Sequence, residues 1–384
     1  MSTLLGSSYT TQYIMEKCFP DVENVNDRVD CEVLHLENAK SFWSLIARIS
    51  LNWKSNEDKA NFPSSVFIKI PTISENALAS DPDAEDFQQC LIDLTANEEH
   101  LYREMKNKRI KGFPYPRYYY GEEVHEIANR EGCLVLEDLS GQVTSVDYIP
   151  GFSIQQVECL VDALAAWHIF AFENGSITKE FIKPNQIDES FQDLLFNESA
   201  KLESWRPEWF AGRIQGLKKY FSIDNAIKSI NSYRELGIPP VIVHMDMNTT
   251  NVLWKKDTFK PEIAAIIDFQ QVHTGNICED LARVLQIGVS CDLRRANEDR
   301  LLKRYHQRLE EHFGHKNPIT LIQVQSAYKR VFPFVSNFAL FAVTCYHSMY
   351  SELEKDETVR KQKQDELLSR AKGVVDDVYS MVGL

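Results

Sequence analysis

The sequence lacks most of what would mark a secreted, membrane-spanning or nucleic-acid-binding chain. Its eight cysteines, Cys18, Cys31, Cys90, Cys133, Cys159, Cys278, Cys291 and Cys345, form no C-x-x-C pair and no metal-ligand spacing. They read as reduced thiols and exclude a disulfide scaffold. No window of eighteen apolar residues stands out, and the first eight residues have neither a basic n-region nor an apolar h-region, so a cytoplasmic protein is expected. Basic residues are in deficit: 42 Lys and Arg against 56 Asp and Glu leave a formal charge of −14. That balance disfavours nucleic acid or an anionic membrane as the main partner, and any bound polyanion must be neutralised locally. Neither internal repeats nor low-complexity segments occur. At 384 residues, 43% hydrophobic and 26% charged, the chain can bury a sizeable core and is expected to form two lobes.

What is present concentrates between residues 244 and 270. His244-Met-Asp246-Met-Asn-Thr-Thr-Asn251 is followed by an apolar run and then by Ile267-Asp268-Phe269-Gln270. In phosphoryl transfer, an Asp two residues after a His accepts the proton of the attacking hydroxyl, and an Asn five residues later holds magnesium. A second Asp before a Phe ligates the metal that bridges the nucleotide phosphates. Asp246, Asn251 and Asp268 keep that spacing. Each alone has an ordinary reading as a turn residue. Together, behind the β-branched runs Val241 to Val243 and Ile263 to Ile267 and close enough for a hairpin, they read as a kinase-like site. His244 is expected to orient neighbouring backbone rather than carry a proton or a metal.

Such a site also needs a strand cation held by a helix carboxylate. Val66-Phe-Ile-Lys69-Ile70 matches the V-x-I-K form of the phosphate-binding strand. Between Phe87 and Met105, apolar residues recur at three- and four-residue intervals, and Glu98 lies on that stripe, four residues from both Leu94 and Tyr102. A carboxylate on a buried stripe needs a partner, and Lys69 is the one expected. Glu99, rotated about 100° around the helix, is expected to face solvent.

Two kinase features are missing. No G-x-G-x-x-G precedes Lys69, so a phosphate-covering loop must be built otherwise. Glu37 to Ser44 is the segment for it, with small Ser41 and Ser44 letting backbone N–H groups approach phosphate; an ordinary turn between strands is the other reading. Leu45, Ala47, Ile49 and Leu51 then alternate as a strand. No Ala-Pro-Glu follows Asp268, so the peptide platform of protein kinases is not signalled and a small-molecule acceptor is expected.

These residues make the chain resemble the aminoglycoside phosphotransferase and choline kinase superfamily, and within it the CHK kinase-like group that includes ecdysteroid kinase-like proteins. The resemblance covers Lys40 to Ser44, Phe67-Ile-Lys69, Glu98 to Tyr102, Leu136-Glu137-Asp138-Leu139, His244 to Asn251, Asp268-Phe269-Gln270 and Glu279-Asp280-Leu281-Ala282-Arg283. It implies an α+β, two-lobed protein-kinase-like fold: an N-terminal arm over 1–30, a small β-rich nucleotide-binding lobe over 31–138, and a larger, mainly helical catalytic and acceptor-binding lobe over 139–384. It further implies ATP and Mg²⁺ as cofactors and transfer of the γ-phosphoryl group to a hydroxyl of a steroid, choline-like or xenobiotic alcohol. Peptide groups at the hinge, around Glu137 and Leu139, would meet the adenine. The Asp-Leu-Ala-Arg segment would be structural, tying a helix to the catalytic loop. Ser41 in place of the loop glycine is the one departure, and the other reading it leaves is a catalytically silent nucleotide-binding scaffold.

The rest is read from local pattern. Ser153 and Gln156 form a capping box, with Phe152 and Val157 as staple, ahead of a stripe that ends at His168, a core histidine. Segments 176–238 and 284–384 read as largely helical. Trp205, Trp209, Phe210, Phe341, Tyr346 and Tyr350 are either acceptor-pocket lining or plain core. The charge run Glu352 to Lys363 reads as a solvated helix or turn.

Overall fold

The computed structural model of the chain describes residues 3–35, 44–71, 84–124, 131–177 and 189–384. Glu37 to Trp43, including Ser41, and the side chain of Phe87 lie outside the described residues. Two compact units separate, one made of Met1–Arg109 with Tyr115–Gln142 and one of Ile110–Pro114 with Val143–Leu384.

The first unit is built on an antiparallel sheet of five strands, in the order β1-β2-β3-β5-β4. These are β1 (Val29–His35), β2 (Ser44–Trp53), β3 (Ser65–Pro71), β4 (Tyr118–Glu122) and β5 (Cys133–Glu137). Period-two alternation sends Ala47, Ile49, Val66, Ile68, Ile70, Cys133 and Val135, all 0% exposed, to one face. The N-terminal arm covers that face: Ile14, Met15 and Phe19, from and just after helix α1 (Thr11–Cys18), join the same core cluster. Phe19 meets Trp53 edge-on at 5.4 Å between ring centroids. Lys69 lies on the opposite face, paired with Ile46 on one side and Leu134 on the other. Helix α2 (Ala84–Met105) belongs to this unit and packs on β4.

The second unit is mainly helical. Helix α3 (Ile154–Glu173) begins with the expected capping box, in which Ser153 accepts from Gln156 N and the Gln156 side chain accepts from Ser153 N. It is followed by α4 (Glu189–Trp205), α5 (Glu279–Ile287), α6 (Cys291–Phe313), α7 (Leu321–Leu353) and α8 (Glu357–Val382). Among the described residues α7 is long and apolar enough to cross a membrane, contrary to the reading of the sequence, but 72% of its apolar window is buried inside the protein, as in a core helix. His168 is buried beside Tyr305, its Nδ1 2.8 Å from the hydroxyl. The charge run at 352–363 spans the α7–α8 junction and is mostly exposed.

Two small sheets flank the segments around Asp246 and Asp268. Strand β7 (Val241–Val243) pairs with β10 (His273–Gly275), while β8 (Val252–Lys255) pairs with β9 (Ile263–Ile266) and with β6 (Val143–Thr144). The hairpin is therefore β8–β9, formed after the first Asp motif. The strand leading into Asp246 has β10 as its partner instead.

Candidate active site

In the sheet unit, Lys69 Nζ lies 2.8 Å from Glu98 Oε2, and the two side chains are 12% and 5% exposed. A central strand fixes the lysine and a long helix fixes the carboxylate, so the pair is held from two independent elements. Burial of one charge without the other would be costly, which is why the two are found together. Glu99 does not face solvent. It is 2% exposed, accepts from the Tyr118 hydroxyl at 2.8 Å and pairs with Arg103 at 2.9 Å. Burial raises the Glu99 pKa against the lowering effect of Tyr118 and Arg103. The helix buries two adjacent faces rather than one stripe, and the 100° rotation moves Glu99 from one buried face to the other.

Ser44 opens β2 opposite Pro71 and is buried. Glu137 ends β5; its N–H donates to Arg117 O at 2.8 Å and so is already engaged, and Leu139 O accepts from Gln142 N at 3.1 Å. Between them Asp138 is fixed by Ser65 Oγ at 2.6 Å, by Arg48 at 2.6 Å and by Ser140 N at 2.9 Å.

In the helical unit the loop after β7 is held from below. Asp280, 1% exposed in the first turn of α5, accepts from the N–H groups of His244 and Met245, each at 2.8 Å. Met245 sits at φ 64°, a left-handed conformation unusual for a side chain of that size, and the clamp on its N–H offsets part of that strain. His244 bonds backbone on both ring nitrogens: Nε2 is 3.0 Å from Ile267 O, and Nδ1 accepts from Asp246 N at 3.2 Å. Its ring lies 4.7 Å from that of Phe269, which is fully buried.

The Asp246 carboxylate is a fixed acceptor. Oδ1 accepts from Asn248 Nδ2 at 3.0 Å and from Arg283 Nη2 at 2.9 Å, and Oδ2 accepts from Asn251 Nδ2 at 2.9 Å. The side chain remains 24% exposed. Asn251 Nδ2 also donates to Asp246 O at 2.9 Å, which leaves the Asn251 side-chain carbonyl as the atom able to serve a cation. Ile267 N donates to Asn251 O at 3.0 Å, so the backbone ladder sets the residue just before Asp268 opposite Asn251. Asp268 is half-buried at φ 68°. Among the described residues no cluster of three or more His, Cys, Asp and Glu could hold a metal by itself. One amide oxygen and one carboxylate are hard donors, and they fit magnesium in the form in which phosphate oxygens and water complete its shell.

The Asp-Leu-Ala-Arg segment ties its helix to the loop, as the resemblance implies, through Asp280 and Arg283; that Arg283 meets the Asp246 carboxylate itself is the part the reading of the sequence missed. The signal lay in the spacing: Arg283 follows Asp280 by three residues, one turn further along the same helix face.

The sequence model of the DUF1679 family, described as "Uncharacterized oxidoreductase dhs-27", matches residues 30–382. A Caenorhabditis elegans protein, "Uncharacterized kinase-like protein D1044.1", is 35% identical over 371 residues, 95% of this chain and 97% of that protein. A second C. elegans protein, "Uncharacterized oxidoreductase dhs-27", is 28% identical over 307 residues; these cover 76% of this chain but 37% of that protein, most of which lies outside the match. A solved choline kinase from Cryptosporidium parvum aligns with 97% of this chain and 99% of its own at a TM-score of 0.53 and 12% identity, a likeness of fold.

Proposed function

The chain belongs to the DUF1679 family, and from that premise we propose that it is a small-molecule kinase, transferring the γ-phosphoryl group of ATP to an alcohol hydroxyl. The observation that carries the reading is the Asp246 carboxylate, fixed by three side-chain donors yet partly open. Oδ2 accepts one side-chain bond where Oδ1 accepts two, so Oδ2 has the capacity to take the hydroxyl proton. The acceptor oxygen bonds to the γ-phosphorus as the bond from that phosphorus to the bridging oxygen breaks. The electron pair leaves with ADP, and the proton goes to Asp246.

Asn251 and Asp268 would hold magnesium, which when bound neutralises charge on the nucleotide phosphates. Lys69, oriented by Glu98, would hold phosphate oxygens, and the Ser41 to Ser44 segment would cover them. Peptide groups around Glu137 and Leu139 would meet the base. Most of the rate enhancement in such a site comes from positioning and fixed charge.

Thermal unfolding with ATP alone, Mg²⁺ alone and both tests the reading. Ligand at about a hundredfold over Kd stabilises a native state by about 2.7 kcal/mol, a shift of a few degrees in a protein of this size. A shift that requires both ligands supports the site. No shift at saturating nucleotide rejects it in favour of a scaffold without nucleotide chemistry.

A further inference from the structure

We infer that Arg283 selects the acceptor: the alcohol phosphorylated by this protein carries a second oxygen, carbonyl or carboxylate, near its reacting hydroxyl, and amino alcohols are rejected. The inference rests on the phosphotransferase reading and names the substrate class of that same site.

The side chain of Arg283 is 8% exposed. One of its nitrogens, Nη2, donates to Asp246 Oδ1 at 2.9 Å, while Nε and Nη1 are buried with no hydrogen-bond partner among the described residues. Buried N–H groups left unpaired are costly, and a cationic group raises that cost. Below the guanidinium is an aromatic ring, Phe338, with its centroid 5.3 Å from the guanidinium carbon; the ring offers a face but no lone pair. The phenols of Tyr148 and Tyr346 belong to the same neighbourhood, since the charges of Asp246 and Arg283 act on both. The two rings are stacked on each other. What is missing around Arg283 is therefore an oxygen acceptor, and the surfaces beside it are aromatic.

The two oxygens of Asp246 separate the roles. Oδ2 is bonded to Asn251, the residue assigned to the cation, and so marks the side of the phosphoryl group. Oδ1 is bonded to Arg283 and Asn248. A hydroxyl at Oδ2 leaves the rest of the acceptor to extend past Oδ1 toward Arg283, where it would have to reach the two buried donors. A carbonyl or carboxylate there completes the guanidinium's hydrogen bonds. An ammonium group brings more donors and a like charge, leaves the same N–H groups unpaired, and gains nothing from them.

A matched set of alcohols on one ring tests this: cyclohexanol, 2-hydroxycyclohexanone, 2-hydroxycyclohexanecarboxylate and 2-aminocyclohexanol, assayed with Mg–ATP and the full chain. We expect kcat/KM for the ketone or the carboxylate to exceed that for cyclohexanol by about 10-fold or more, the size of a charge-assisted hydrogen bond, and the amino alcohol to rank at or below cyclohexanol. The ketone and carboxylate arms tell a neutral from an anionic oxygen. In Arg283→Gln that advantage should collapse to within about 3-fold, with folding checked by the Mg–ATP thermal shift. Arg283→Lys, which keeps the charge but not the fork, should fall between. A preference for the amino alcohol, an absent advantage in the wild type, or an advantage that survives in Arg283→Gln would each overturn the inference while leaving phosphoryl transfer intact. Mg–ATP binding without transfer to any of the four alcohols rejects the transferase reading, and this inference falls with it.

Discussion

Asp268 and Glu98 show how differently two carboxylates should respond to loss of charge. Asp268 occupies a left-handed backbone position, which asparagine tolerates better than alanine, so Asp268→Asn removes the charge without adding strain. Turnover in that variant should fall roughly 100-fold or more, as expected when a metal-held charge interaction is lost, while its melting temperature without ligand stays at the wild-type value. Undiminished turnover would remove Asp268 from the metal assignment. Glu98→Gln, by contrast, leaves a buried lysine with a weaker partner. Its main effect should be a raised KM for ATP, because the displaced cation is the one assigned to the phosphates. Glu99→Gln is the control from the next position. Its partners are Tyr118 and Arg103, so stability should change and KM for ATP should not. Equal KM effects in the two variants would dissolve the distinction between Glu98 as a functional and Glu99 as a structural carboxylate.

At the scale of elements, the short helix α5 ties the loop after β7 down through Asp280, and removal of that carboxylate should be felt there first. Asp280→Ala leaves two buried N–H groups without their acceptor, at a cost of about 1–3 kcal/mol each at most, readable as a lower urea midpoint with an unchanged m-value. Because the freed loop carries Asp246, kcat should drop in the surviving folded fraction more than KM for ATP rises. Elements set by neighbouring residues were legible in the sequence: the Ser153–Gln156 box, the alternation in β2 and β3, and the Lys69 and Glu98 positions follow from local pattern alone. The misreadings came where tertiary packing decides. Glu99 is buried because α2 has neighbours on two faces, and a single apolar stripe cannot report the second. The β8–β9 hairpin and the β7–β10 pairing depend on which strand reaches which partner, and three-residue strands carry too little pattern to say. Arg283 shares a helix face with Asp280, but its contact with Asp246 exists only because Asp280 has already docked that helix onto the loop.

For the molecule as a whole, two buried histidines of the helical unit should set the pH of greatest stability, with opposite signs. His168 is pushed down to about 3 by burial alone, so it stays neutral in the folded protein while the unfolded chain binds a proton below about 6.5. Its contribution is present above pH 6.5 and is lost as pH falls toward 3. His347, also lowered chiefly by burial, adds to the same limb. His273 behaves in the reverse way. Burial opposes its charge, but Glu279, with Nε2 and Oε2 3.0 Å apart, outweighs burial and raises its pKa above the ordinary value. Its contribution is present below pH 6.5 and is lost as pH rises through the raised value. Below about pH 4 the carboxylates lowered by ion pairs join the acid limb: Asp162, where Arg304 and Arg308 outweigh burial, and Asp376, where Lys372 and Arg213 do. The melting temperature should therefore peak near pH 6.5 and fall on both sides. His168→Gln should flatten the fall between pH 6.5 and 4, and His273→Gln the fall above 6.5, each relative to its own maximum. A wild-type melting temperature that climbs steadily from pH 6 to 8 would show that the His273–Glu279 pair is not charged in the folded protein, and the alkaline half of the argument would fail while the His168 half stood.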